Sequence, residues 1–167
     1  MRTLNEVAPY DWARLLRERV TATGSHAPLG GIENGGWKLV YNDTPNLFTQ
    51  AGEKLSKSAD FSYSLGFFIS EDGKLEDVIM GSPAYQAGLG PGMKLVAVNG
   101  RKWSPSVLHA ALKAAQGNDQ PIELIVENAQ FFKTYAVGYH EGEKNPHLER
   151  VAEQPDILGA IVTPLTR

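Results

Sequence analysis

The chain has no cysteine among its 167 residues. That excludes disulfides, thiol nucleophiles and cysteine-ligated zinc, while leaving the compartment open between periplasm and cytoplasm. It also lacks a surplus of positive charge: 16 Lys and Arg stand against 19 Asp and Glu, for a net charge of −3. No basic stripe is present to follow phosphates, so nucleic acid is not an expected partner. Its apolar runs are of strand length, so no membrane span is expected. No charged segment followed by an apolar one opens the sequence, so no export signal is read there. Serine hydrolysis lacks its usual setting too, because no Gly-x-Ser-x-Gly elbow occurs. Ser64, Ser70, Ser82, Ser104 and Ser106 each have a cap or loop explanation.

The 42% of hydrophobic residues suffices for the core of one globular domain with extensions. Pro9 to Val20 has Trp12, Leu15, Leu16 and Val20 at helical spacing, an amphipathic helix that needs a surface to pack on. Thr21 to Gly36 has the glycine-rich composition of a linker, with Leu29 and Ile32 pinning it in part. Trp37 to Tyr41 alternates as a strand, expected to complete the main sheet. Asn46 to Asp60 turns polar and is expected to be a loop or a loose helical turn.

The centre is more definite. Ser64-Leu65-Gly66-Phe67 leads straight into the apolar run Phe67-Phe68-Ile69, a loop able to turn backbone N–H groups toward one point. Ser82-Pro83 caps a short helix that Gly88 ends. Met93 to Val98 is a strand, and Asn99-Gly100 is a strong hairpin signal. Ser104-Pro105 opens a second helix to about Gln116, whose apolar stripe is Leu108, Ala111, Leu112 and Ala115. Ile122 to Val126 and Phe132 to Val137 form a hairpin. The segment Ile157 to Val162 needs burial, expected beside the N-terminal helix.

This order of elements resembles a PDZ domain. Ser64-Leu65-Gly66-Phe67 matches the family's Gly-Leu-Gly-Phe loop at three of four positions. Ser82-Pro83-Ala84-Tyr85-Gln86-Ala87-Gly88-Leu89 and Pro91-Gly92-Met93-Lys94-Leu95-Val96-Ala97-Val98-Asn99-Gly100 extend the match. The resemblance implies a mainly β fold with helices: a partly open antiparallel barrel with two flanking helices, plus an N-terminal helix and a C-terminal extension. Over a longer span, Tyr10 to Arg19, Pro28-Leu29, Gly36 to Tyr41, Ser62 to Gly66 and Pro146 to Arg150 resemble the C-terminal region of the glycyl aminopeptidase family. Those are zinc metallopeptidases that carry a PDZ domain after a thermolysin-like catalytic domain. The resemblance implies that residues 1–60 lead out of a catalytic domain lying elsewhere, that 61–140 are the PDZ-like domain, and that 141–167 pack back. The family's His-Glu-x-x-His is missing here. Catalysis and zinc are therefore expected in the other domain, with no cofactor and no catalytic residue in this chain.

By the PDZ pattern, an extended peptide would add to the strand from Phe67, in a groove facing the helix of Pro105 to Gln116. The backbone N–H groups of Leu65, Gly66 and Phe67 would hold a terminal carboxylate. Leu65, Phe67, Ile69 and Leu112 would line the pocket, with Leu108 and His109 beside the neighbouring position and Phe68 on the same strand. One alternative is that these residues are ordinary core and the groove is closed by residues 40–60 or by the tail, leaving a structural spacer that docks on the catalytic domain; another is an independent peptide-binding adaptor. The expected partner is a peptide or protein C-terminus, or the parent's own catalytic domain. His140, Glu143, His147 and Glu149 offer metal-ligand atoms, but at no spacing that a metal site uses.

Overall fold

A computed structural model describes residues 2–23 and 27–164. Gly24, within the glycine-rich stretch, and the last three residues of the C-terminal extension lie outside them. Along the chain run α1 (Arg2–Val7), α2 (Trp12–Thr21), α3 (Gly30–Asn34), β1 (Trp37–Asn42), α4 (Leu47–Ser56), β2 (Ser58–Asp60), β3 (Phe67–Ser70), β4 (Leu75–Val78), α5 (Pro83–Gln86), β5 (Lys94–Val98), β6 (Arg101–Lys102), α6 (Pro105–Ala115), β7 (Ile122–Asn128), β8 (Phe131–Val137), β9 (Asn145–Arg150) and α7 (Ile157–Val162). The strands pair antiparallel in three sheets, ordered β2-β3-β4, β6-β5-β7-β8 and β1-β9. The result is a β-rich, PDZ-like fold with flanking helices, and its sheets do not close into a barrel.

Local chemistry accounts for the central elements. Ser82 Oγ accepts from the Tyr85 N–H and Ser104 Oγ from the Val107 N–H, each with proline in the first helical turn. These caps satisfy donors that a helix start leaves without partners, and the proline ring presets φ. Asn99 and Gly100 both take positive φ, 46° and 73°, the backbone a tight two-residue hairpin turn requires. The apolar stripe of α6, Leu108, Ala111, Leu112 and Ala115, is buried. It closes the core over Phe67 and Ile69 of β3 and Leu124 and Val126 of β7. Burying each large side chain of this set contributes about 1.5–3 kcal/mol.

The flanks depart from expectation. β1 does not complete the main sheet; it pairs with β9 over six residues, from Trp37 opposite Arg150 to Asn42 opposite Asn145. The polar stretch after Pro45 is not a loop. Asn46 Oδ1 accepts from the Thr49 N–H to cap α4, and Lys57 ends it in the left-handed region at φ 53°. The helix expected over Pro9 to Val20 is α2, with a further short helix, α1, before it, and neither has a buried residue. Trp12 satisfies its indole N–H on the Ala8 carbonyl at 2.8 Å and meets Tyr10 edge-on, so its polar needs are met locally. Nor does α7 pack as expected beside that helix. Its cap residue Asp156 accepts from Trp37 Nε1 at 2.8 Å, and the Leu158 N–H donates to the Gly35 carbonyl. The apolar tail is thus fastened to the β1–β9 ribbon, where Arg150 also donates to the carbonyls of Gly36, Val151 and Gln154.

Candidate functional site

The turn Ser64–Phe67 is built inward from both sides. The Ala84 N–H donates to the Leu65 carbonyl at 2.9 Å and the Ile79 N–H to the Gly66 carbonyl at 2.8 Å, seating the turn on α5 and the end of β4. Gly66 has φ +88° and faces Ser82, whose side chain would collide with an added Cβ. Both the backbone conformation and the close approach require glycine there. Ser64, where the PDZ pattern has glycine, is buried, and its hydroxyl accepts from the Lys144 N–H at 3.1 Å.

The first sequence reading leaves the outer edge of β3 free for a peptide and the alternative closes it with residues 40–60 or the tail; the structure places β2 on it. Ser58 lies opposite Ser70, Ala59 opposite Ile69 and Asp60 opposite Phe68. The pairing continues into the turn, where the Phe61 N–H donates to the Phe67 carbonyl at 3.0 Å. The Phe61 carbonyl in turn accepts from the Gly66 N–H at 2.8 Å and the Ser64 N–H at 3.2 Å. Thus the Gly66 N–H, expected to point at a carboxylate, is engaged by the chain's own backbone. Phe61 is 1% exposed. Its ring centroid lies 5.7 Å from that of Phe67 and 4.9 Å from that of His109.

With that segment in place, the residues expected to line an open pocket sit in the core. Leu65, Phe67, Ile69, Leu108 and Leu112 are all fully buried. Phe68 and His109 are half-buried. The open space is displaced outward, to a cleft of about 330 Å³ between α4, β2 and the start of α6. Gln50, Glu53, Lys54, Lys57, Pro105 and His109 line it. Glu53 Oε1 reaches from α4 to accept the Asp60 N–H at 2.8 Å, covering the side of β2 that faces away from β3.

A second flank crosses the site from the C-terminal side. His109 Nδ1 and Glu143 Oε2 are 2.8 Å apart, and Asn145 Nδ2 donates to the other Glu143 oxygen at 3.2 Å. The hydrogen bond to Glu143 raises the His109 pKa above its ordinary value, and the carboxylate charge adds to this against the cost of burial. Burial alone pushes Glu143 upward, but the hydrogen bond and charge of His109 together with Asn145 leave it below the usual carboxylate range. Each group thus favours the charged form of the other. His147 and Glu149 are drawn elsewhere, to the Thr44 carbonyl and to Lys38. Among the described residues no group of three or more His, Asp and Glu side chains is placed to hold a metal ion, and no helix is long and apolar enough to cross a membrane.

Phe61, Glu143 and Asn145 belong to this site and were not expected in it. A sequence signal existed for the strand beneath them. Asn46 is a cap-type residue ahead of Leu47 and Phe48, and a helix over 47–56 leaves room for just one short extended segment before the turn.

No family model matches the chain, and no curated protein matches it in sequence. Among solved structures, the chain is similar to an aminopeptidase N family protein from Idiomarina loihiensis. The identity is 18% and the TM-score 0.59, over 98% of this chain and 28% of that one. It is also similar to the PDZ domain of HtrA3 bound to a phage-derived ligand, FGRWV, at 15% identity and a TM-score of 0.35, over 78% of this chain and 100% of that one. The second likeness is too slight to carry an argument. The first is a likeness of fold, and it shows this chain spanning little more than a quarter of the length of that aminopeptidase N family protein.

Proposed function

We propose that this chain is a peptide-positioning module of PDZ type within a larger protein resembling the glycyl aminopeptidase zinc metallopeptidases, with the catalytic zinc held by another domain. One observation carries the reading: β3 and the turn before it receive an extended antiparallel segment through main-chain hydrogen bonds and seat an aromatic side chain against Phe67 and His109. That is the physical basis of recognition by strand addition, in which backbone pairing gives affinity and a side-chain pocket gives selectivity. The fold shared with part of the aminopeptidase N family protein supports the larger context. Leu65, Gly66, Phe67, Phe68 and Ile69 form the strand side of the site, and Leu108, His109 and Leu112 form the helix side.

A second reading is a spacer whose groove stays shut, docked on the catalytic domain. The two bonds from the C-terminal flank, Glu143 to His109 and Lys144 to Ser64, favour it. Titration of the purified chain with labelled peptides ending in apolar residues separates the two. Saturable binding that shifts the amide resonances of Phe68 to Ser70 supports positioning. No binding to the native chain or to any folded variant with a loosened groove supports the spacer. The isolated chain is also expected to show no aminopeptidase turnover, and chelator-sensitive hydrolysis by the pure chain would overturn that.

A further inference from the structure

We infer that Ser58–Phe61 is a built-in ligand: an intramolecular segment that occupies the peptide site and is displaced by an extended peptide carrying an aromatic anchor. The inference rests on the peptide-positioning reading and says what holds the site in reserve.

Several features distinguish this segment from a permanent sheet strand. β2 is three residues long and pairs at one edge of its sheet. The helix that leads into it, α4, has no buried residue, and Leu47, Phe48 and Leu55 are 84%, 88% and 89% exposed. Hydrophobic packing therefore does little to hold α4 down. Its polar ties are the Asn46 side-chain amide on the Pro146 carbonyl, Glu53 on the Asp60 N–H, and the Glu71 N–H on the Lys57 carbonyl at its end. Lys57, at the joint between α4 and β2, carries φ 53° with a full side chain, a conformation less favourable than right-handed or extended backbone. Against this loosely held strap stands one large anchor, Phe61, 1% exposed, with the small Ala59 buried beside it at 5%. A segment fixed by one aromatic side chain and a few main-chain bonds has the composition of a bound peptide.

The present occupant also states the chemistry of its competitor. A displacing peptide runs antiparallel to β3, is extended over about four residues, and places an aromatic or large apolar side chain where Phe61 now sits. Phe61 presents a peptide carbonyl, not a carboxylate, to the Gly66 N–H. An internal segment of a polypeptide therefore fits this site, and a free C-terminus is not required.

Because a site occupied by its own chain binds in proportion to the fraction of molecules that are open, loosening the strap raises apparent affinity without changing the site. The test uses a fluorescein-labelled peptide with the sequence of residues 55–61, titrated into the native chain and two variants. Ala59→Pro removes a backbone donor from β2, and Glu53→Ala removes the acceptor of the Asp60 N–H while leaving the core untouched. Circular dichroism confirms that each variant is folded; if Ala59→Pro is not, Glu53→Ala carries the test. The expected result is binding at least about tenfold tighter to the folded variants than to the native chain, lost when the phenylalanine of the peptide is replaced by alanine. Equal affinity for native chain and variants overturns the built-in ligand while leaving peptide positioning intact. Absence of binding to every folded variant overturns the positioning reading itself.

Discussion

Ser64 Oγ accepts the backbone N–H of Lys144 at 3.1 Å. A single buried hydroxyl at the position where the PDZ pattern has glycine thus ties the Ser64–Phe67 turn to the residue that leads into β9. Ser64→Ala leaves the Lys144 N–H without this acceptor and is expected to cost about 1 kcal/mol, the typical net worth of one such bond. A urea titration reads it as a lower midpoint at unchanged slope. An unchanged midpoint would show the bond to be dispensable.

The pair of His109 and Glu143 sets a pH window. The His109 pKa is raised from 6.5, so its contribution is complete below that value and is lost as pH rises through the raised folded-state value. The Glu143 pKa is lowered from 4.5, so its contribution is present above that value and is lost as pH falls through the lower folded-state one. Their mutual stabilisation is greatest between about pH 4.5 and 6.5 and fades on the alkaline side. Thermal melts across pH 4 to 9 should show this, and Glu143→Gln should flatten the alkaline limb. A Gln variant that tracks the native curve would refute the assignment.

Gly66→Val is expected to damage folding before any ligand is added. The positive φ and the Ser82 side chain both oppose a Cβ at this position. Ser82→Gly introduced alongside Gly66→Val should recover part of the lost melting temperature by removing the collision, while the backbone penalty remains. No recovery would place the whole cost in the backbone.

Removing residues 1–20 should leave the melting temperature nearly unchanged, because α1 and α2 have no buried residue. The apolar face of Trp12, Leu15 and Leu16 suggests the opposite when the sequence is read by itself. Surface changes of this kind typically stay within about 0.5 kcal/mol. A clear drop by differential scanning calorimetry would show that the helix docks on the core.

The elements legible in the sequence are those whose causes are local. Ser82-Pro83 and Ser104-Pro105 announce helix starts, Asn99-Gly100 announces a hairpin, and the α6 stripe announces a buried face. Each needs no more than a few neighbouring residues to be decided. What the sequence conceals depends on distant partners. Trp37 to Asn42 is evidently a strand, but nothing nearby says that its mate begins at Asn145 rather than in the main sheet. The site residues Leu65, Phe67, Ile69, Leu108 and Leu112 read equally well as pocket lining or as core, since both demand apolar side chains. Whether the space before them is open is decided by Phe61, which alternates with Ala59, Tyr63 and Leu65, a strand-like pattern that does not say which edge it pairs with.

The β1–β9 ribbon joins Trp37 to Arg150 at one end and Asn42 to Asn145 at the other. Everything between, including β2 to β8 and the candidate site, is an excursion from this two-stranded stem, tied back to it by Asn46 on the Pro146 carbonyl and Tyr41 against Tyr63. A pull transmitted through the residues outside the ribbon would separate the strands pair by pair from the Trp37–Arg150 end, a peeling geometry that loads one rung at a time. Such a load meets the rungs of the ribbon first, and then the ties at its inner end, Asn46 on the Pro146 carbonyl and Lys144 on Ser64.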